Sequence, residues 1–527
     1  MAKDFFVDSA VALMDNTTFT YTAGTATSVA PGDFIISRKE RYNWRVAAST
    51  ATDFHLTTAG GGARLVKLYV DAPVVHPEMF GKIGTSAGDS ATIAKAMDIN
   101  RDVEFPGNVY SITEPIQVSN QRITGLGKGP GIARAQVLIG VQGDYPCFIN
   151  KTAGGFNSCE ISGFFVNYGE SAPSTGVGNA NKIGFKFTLS PASGVSDGWP
   201  ELIKISNCTV RGAWIAYYDD TGTYGSHLER ILALKCRVGF QKVDGTTHAF
   251  VNCLVAGDGV NSENGFVVTR VPAVSFTSCA ADLLVPGSGS GGGANIFTSC
   301  LGVTINGWDA EGNRIGSGLA YLKVSGSGSL SLRGFVGIGN TLLGGAGTES
   351  FLFLNDGGQF EFTGLTRLGP DDLKYVGVGG NPTTFLTVNN GQTLLNSSVV
   401  HAATGGAPEV AWATRAGSGG SAVLLNTKVL GGIRHGAEPL LTQMDVAAMP
   451  LAGIGTKGMF LNTTNAAITE GQVVPATSLA WSAASGNNIP PNTLPAGSQW
   501  MCLGTCLANT VPPTPRTAST SLFIRVS

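Results

Sequence analysis

Residues 239–253 read "GFQKVDGTTHAFVNC", and residues 265–279 read "GFVVTRVPAVSFTSC". Gly-Phe opens each, apolar and polar residues mix with strand-like spacing, a turn intervenes, and a second strand closes on cysteine 14 residues after the glycine. "GFKFTLS" from Gly184 opens in the same way before Cys208, with a longer insertion. The setting of the cysteine also recurs. "SNCTV", "LKCRV", "VNCLV", "TSCAA" and "TSCLG" all lie between residues 206 and 302, and "NSCEI" around Cys159 is an earlier relative.

A second set of repeats follows. "YLKVSGSGSLSLRGF" starts at Tyr321, "FLFLNDGGQFEFTGL" at Phe351 and "FLTVNNGQTLLNSSV" at Phe385. Each is an apolar strand, a polar Gly turn and a second strand. Such a unit cannot bury its own apolar face, but stacked copies make one continuous core. The spacing predicts an all-β chain: a right-handed parallel β-helix, a solenoid, with small N-terminal and C-terminal β-domains. Uneven spacing places insertions in the turns, where a binding face can be built. A propeller would need blades of roughly 40–50 residues, and no such period occurs.

Composition agrees. Among 527 residues, 73 are Gly and only 13% are charged, against roughly 25% in ordinary domains. The net charge of −2 gives no basic footprint for nucleic acid. No run of 18 apolar residues offers a membrane span. The first residues, "MAKDFFVDSAVALMDNTT", are broken by Asp4 and Asp8 and do not read as a secretory signal. Nine cysteines, an odd number, do not make a disulfide scaffold in a chain of this length. Equivalent positions of stacked coils form a column about 4.8 Å per step, which does not converge ligands on a metal. The cysteines therefore read as small buried hydrophobes. Cys502 and Cys506 lack a second ligand pair. "GLGKGPG" at 125–131 lacks the Lys-Ser/Thr of a phosphate loop and reads as a coil turn. No metal and no cofactor is expected.

Three regions follow: residues 1–75, β-rich; 76–400, the solenoid; and 401–527, a second β-domain that ends in "SLFIRVS". Between the first two, Asp89 or Ser90 caps a helix in "SATIAKAMDIN", with Ile93, Ala96 and Met97 on one face.

"MFGKIGTSAGDSATIAKAMDINRDVEFPGNVYSIT" resembles the opening motif of phage tailspikes with a pectate-lyase-like β-helix. Phe80, Gly81, Gly88, Asp89, Val103, Phe105, Pro106, Tyr110 and Ile112 carry the match; Asn108 stands where that family has a turn glycine. "RYNWRVAAS" and "DFHLTTAGGGARLVKLYV" are similar to the small β-segment that precedes this motif, and "GSQWMCLG" with "STSLFIRVS" to closing strands of fibre and spike domains. The resemblance implies a homotrimer on a virion tail, held to other tail or baseplate proteins through the N-terminus and acting at the host bacterial surface. It further implies binding of a bacterial surface polysaccharide, O-antigen, capsule or exopolysaccharide. Cleavage by hydrolysis or by lyase elimination is the usual consequence; a spike that binds without cutting is the alternative. Residues 401–527 would then trimerise the chain or bind carbohydrate.

Glycosidic hydrolysis needs two carboxylates beside the bond. "TINGWDAEGNR" supplies Asp309 and Glu311, two apart and so on one face of a strand, beside Trp308. Asp282 in "CAAD", and Asp258 with Glu263 in "AGDGVNSENG", lie on neighbouring coils. Asp309, Glu311, Asp282 and Asp258 are the catalytic candidates. Trp308, Glu263, Tyr217, Tyr224 and Arg230 are candidates for holding substrate, the last three from the crowded "YYDDTGTYGSHLER". Each also reads as an ordinary turn, ion-pair or insertion residue. A lyase would want a base and a cation, for which His227, Arg230 and His248 are available.

Overall fold

The computed structural model describes residues 2–15, 20–21, 29–53, 55–57, 67–70, 72–84, 88–99, 101–107, 109–127, 136–151, 156–169, 171–173, 179–188, 201–287, 289–344, 350–363 and 373–377. Beyond these it describes 384–396, 399–401, 412–414, 421–425, 428–430, 433–435, 438–440, 457–462, 471–475, 479–482, 488–489, 499–502 and 520–525. Asn108, most of "GLGKGPG", Cys506 and the Pro-rich loop before the last strand lie outside the described residues.

The N-terminal unit is a six-stranded sheet. Asp4–Val7 runs parallel to Phe34–Ser37, which pairs antiparallel with Asn43–Val46, itself antiparallel to Lys67–Val70. Phe5, Ile35, Trp44 and Leu68 fill its inner face because strand alternation points them the same way. Trp44 Nε1 donates to the Met79 carbonyl oxygen at 3.0 Å, fastening this unit to the start of the solenoid. The helix Ser90–Met97 buries Ile93, Ala96 and Met97. Asp89 occupies its N-cap position, but the carboxylate accepts the N–H of Gly84 (2.7 Å) and of Ser111 (2.8 Å) instead of a helical one.

From Val74–Val75 the chain winds into one 28-stranded sheet. Its ladders are parallel apart from the last, Ile433–His435 with Glu438–Leu440. Each full coil lays strands on three walls. The first wall steps from Gly225 to Thr247, Ala273 and Gly302. The second steps from Leu232 to Leu254, Ala280, Asp309 and Val336. The third steps from Phe185 to Tyr217, Phe240 and Phe266.

Stacking puts like residues on like. Phe240 lies face to face with Phe266 (centroids 4.8 Å apart), and Phe250 with Phe276 (4.8 Å). The "GF" repeat is the third-wall column. Gly239 is small because a Cβ there would sit 2.4 Å from a Val255 methyl and 2.6 Å from the Gly265 carbonyl oxygen.

The recurrent polar-Cys pair is the corner of a coil. Asn207, Lys235, Asn252, Ser278 and Ser299 have φ between 50° and 54°, and each is followed by Cys. This left-handed residue adds one outward position, so burial along Ala273–Asp282 slips from alternation only at Thr277 and Ser278. The cysteine then points into the core. Its thiol donates to the carbonyl two residues back, at 3.2 Å for Cys208 and 3.5–3.6 Å for Cys236, Cys253, Cys279 and Cys300. In the last four it also reaches a carbonyl of an earlier strand, Val210, Leu228, Phe250 and Val268 respectively. Burial pushes the Cys208 and Cys236 thiols up to about 12, so they keep the proton they donate. Cys147, Cys159, Cys208, Cys236, Cys253, Cys279 and Cys300 are all buried and unpaired. They do not form one column: Cys208, Cys253 and Cys279 share the corner between the first and second walls, whereas Cys236 and Cys300 occupy the two other corners. That is why the cysteine spacing is irregular.

Two boundaries differ from the sequence reading. Leu322 stands opposite Phe353, and Phe353 opposite Leu386, so Leu352 and not Phe351 is level with Tyr321. A local pattern cannot see that the interval is 31 residues on one wall, Ser325 opposite Asp356, and 30 on the next, Ser329 opposite Gln359. The ladder also continues past 400, from Thr384–Asn396 to Trp412–Thr414 and Ser421–Leu425 and then to Ile433–His435. Long Gly-rich insertions hid these coils. A separate six-stranded antiparallel sheet follows, in which Lys457–Asn462 and Gln499–Cys502 flank the final strand Thr520–Arg525.

Candidate active site

The second wall holds the candidate carboxylates. Gly302–Glu311 buries Trp308 and Ala310 and turns Asp309 and Glu311 outward, as a period of two requires. Ala280 lies opposite Asp309, so Asp282 is one ladder step from Glu311. Asp282 is outward and half-buried. Three carboxylates from two adjacent coils thus share one patch of the outer face. Along the same columns the coils on either side present Leu254 and Ala256, then Val336 and Ile338. The acidic patch sits in an apolar strip.

That surrounding matters for protonation. Burial pushes the Asp282 carboxyl up to about 7; the Glu311 N–H, donated to Asp282 Oδ1 at 2.9 Å, opposes this, and the Asp309 and Glu311 charges add to it. Asp309 Oδ1 is buried without a hydrogen-bond partner among the described residues. None of the three carboxylates forms an ion pair with a described residue. A proton holder next to two carboxylates is the arrangement that general acid catalysis uses.

Beside the patch, a concavity of about 820 Å³ opens over the corner of the first and second walls, lined by Gly163, Asn207, Arg230, Asn252, Leu232 and Leu254 among others. It is not centred on the carboxylates. Leu254 leads through Ala280 to Asp309 in two ladder steps, so the concavity and the patch are two stations along one wall.

The remaining sequence candidates separate. Arg230 is a left-handed corner residue (φ 54°), exposed, lining this concavity, with Glu229 at 3.3 Å. Tyr224 is exposed on a turn. Asp258 does not join this carboxylate patch: its Oδ1 accepts the N–H of Val260, Asn261 and Ser262 at 2.7–3.1 Å, folding its own loop. Burial acts upward on that carboxyl, but these donors hold it below the ordinary range. Glu263 pairs with Arg237, whose guanidinium also covers the Trp214 ring, 4.7 Å from its centroid. Trp308 and Tyr217 are corrections of the sequence reading, since both are buried and cannot touch a ligand. Tyr217 donates to Asp219 (2.9 Å) inside the solenoid, where Lys242 Nζ is 2.7 Å from the same carboxylate. His248 is buried beside this pair; burial, with the Lys242 charge adding and Asp219 opposing, pulls its imidazole down to about 3.

Sequence reading missed what lies beneath the carboxylates. Trp308 Nε1 donates to the Tyr321 hydroxyl (2.8 Å), which donates to the Ala281 carbonyl oxygen (3.0 Å). Asn313 Nδ2 donates to the same oxygen (3.1 Å), and Asn340 Nδ2 to that of Ala310 (2.8 Å). The available signal was a Gly-Asn pair repeated one coil apart, Gly312-Asn313 and Gly339-Asn340.

No family model and no curated protein matches the chain. Solved structures match its fold. The enzymatically active domain of tailspike protein 2 from bacteriophage CBA120 aligns over 94% of this chain and 87% of its own, with 12% identity and a TM-score of 0.50. The gp42 tailspike of Acinetobacter phage vb_AbaP_AS12 aligns over 100% and 94%, with 13% identity and a TM-score of 0.50. The chain is a parallel β-helix, and these two solved structures of the same fold are phage tailspikes.

Proposed function

We propose that this chain is a tailspike that binds a bacterial surface polysaccharide and depolymerises it by carboxylate-catalysed hydrolysis of glycosidic bonds. The carrying observation is Asp282, a carboxyl held protonated near neutrality one ladder step from Glu311 and diagonal to Asp309. Asp282 gives its proton to the leaving oxygen. Glu311 or Asp309 attacks the sugar or activates water. The apolar positions along the wall offer seats for sugar rings, and the corner concavity adds a hollow farther along the same wall. Among the lyase candidates, His248 is enclosed in the core and His227 lies 3.7 Å from Glu229 on the first wall. Their placement favours hydrolysis over elimination.

The tailspike fold supports a place on the virion tail, with three chains side by side and the N-terminal sheet as the attachment to neighbouring tail proteins. Incubation with purified host polysaccharide tests the activity. Hydrolysis shortens the glycan and releases reducing ends without new ultraviolet absorbance. New absorbance from an unsaturated uronate would replace the reading with a lyase. Binding without shortening would replace it with a receptor-binding spike.

A further inference from the structure

We propose that Tyr321 is a positioning residue for this site: its hydroxyl, with the amides of Asn313 and Asn340, sets the spacing of Asp282 from Asp309 and Glu311. The inference rests on the hydrolase reading above. Tyr321 is fully buried, on the third wall, across the core from the carboxylates it serves. Its hydroxyl uses both of its capacities. It accepts from Trp308, the residue before Asp309, and donates to Ala281, the residue before Asp282. One oxygen therefore fastens the two strands at the positions adjoining the two carboxylates.

The asparagines complete the fastening. Asn313 Oδ1 accepts the Leu284 N–H (2.9 Å) while its Nδ2 reaches both Ala281 and Asn340 Oδ1 (2.8 Å). Asn340 in turn holds Ala310, the residue between Asp309 and Glu311. Asn295 Nδ2 donates to the Tyr321 carbonyl oxygen (3.2 Å), fixing the tyrosine's own backbone. A core that needed only packing would put apolar side chains here. A fully satisfied polar network costs desolvation but admits one geometry. Catalytic groups need such constraint, since small displacements of reacting groups cost large factors in rate.

Tyr321→Phe keeps the ring and removes the hydroxyl. The expected result is a folded chain with kcat on the polysaccharide reduced at least tenfold, KM changed less than twofold, and the alkaline limb of the kcat profile moved to lower pH. An infrared titration reads the site without substrate: the protonated-carboxyl band that Asp282→Asn removes should titrate at lower pH in Tyr321→Phe than in the parent. Asn340→Ala is the second variant, expected to move the same quantities in the same direction, and it decides the matter should Tyr321→Phe not fold. Loss of thermal stability with kcat, its pH limb and the carboxyl titration unchanged would overturn the proposal. A parent protein that cuts no glycan would refute the hydrolase reading, and the titration would still decide whether Tyr321 positions Asp282.

Discussion

Asp282 Oδ1 accepts the backbone N–H of Glu311 at 2.9 Å, so the two acidic residues are joined across one step of the parallel ladder. The contact locates the Asp282 carboxyl over the neighbouring strand, beside the outward Glu311 side chain. Burial and two nearby negative charges keep it protonated up to about pH 7, although the Glu311 N–H acts the other way.

Asp282→Asn should lower kcat roughly 10²–10⁴-fold, the usual worth of a general acid. In the parent the rate should fall on the alkaline side as pH passes about 7, because only the protonated carboxyl can donate. Initial rates of reducing-end release between pH 4 and pH 9 check both statements.

The same carboxyl should influence stability with a definite sign. Its folded pKa lies above the ordinary ~3.9 of an unfolded aspartate, so between the two values the native chain holds a proton that the unfolded chain has lost. Stability falls as pH rises through that window. Asp282→Asn should therefore unfold at a higher temperature than the parent at pH 8 and show little difference at pH 4, followed by thermal denaturation at each pH.

Product stereochemistry should identify the partner of Asp282. Ladder spacing puts the Cα atoms of Asp282 and Glu311 about 4.8 Å apart, and those of Asp282 and Asp309 about 8 Å apart. Carboxyls ~5–5.5 Å apart give retention and carboxyls ~6.5–9.5 Å apart give inversion, so retention points to the nearer strand position, Glu311, and inversion to the farther one, Asp309. NMR of the first-formed product should agree with whichever of Glu311→Gln and Asp309→Asn is the more damaging.

Cys253→Ala should lower stability by about 1–2 kcal/mol, through a small cavity and a lost thiol–carbonyl contact, and leave the cleavage rate within twofold. The Cys253 thiol reaches the Leu228 carbonyl at 3.4 Å inside the core, away from the outward carboxylates. Denaturant midpoints and initial rates provide the comparison.

Lys242→Met should destabilise the chain by about 3–5 kcal/mol, because it leaves the Asp219 carboxylate buried without its cation. Both side chains are at 0% exposure. Adding Asp219→Asn, which removes the charge and keeps an acceptor for Tyr217 and Thr221, should recover part of the loss, which equilibrium unfolding of the single and double variants would show.

The solenoid itself was legible in local patterns of the chain, although its extent past residue 400 was not. Gly-Phe and polar-Cys pairs recur because several central coils approach closely on the third wall, at Gly184, Gly239 and Gly265, and coil corners take a left-handed residue; both demands are local. Alternation alone also put Asp309 and Glu311 on one face and turned Trp308 to the other. That Asp282 joins them follows from folding, because the ladder step from Ala280 to Asp309 depends on the length of the intervening turns, which no local pattern records. The tertiary structure also sets that Asp258 folds its own loop, that Tyr217 and His248 face the core, and that Tyr321 reaches beneath Asp282 from another wall. Side chains that meet across a solenoid are neighbours in space through coil stacking and closure, and their separation in sequence carries no mark of it.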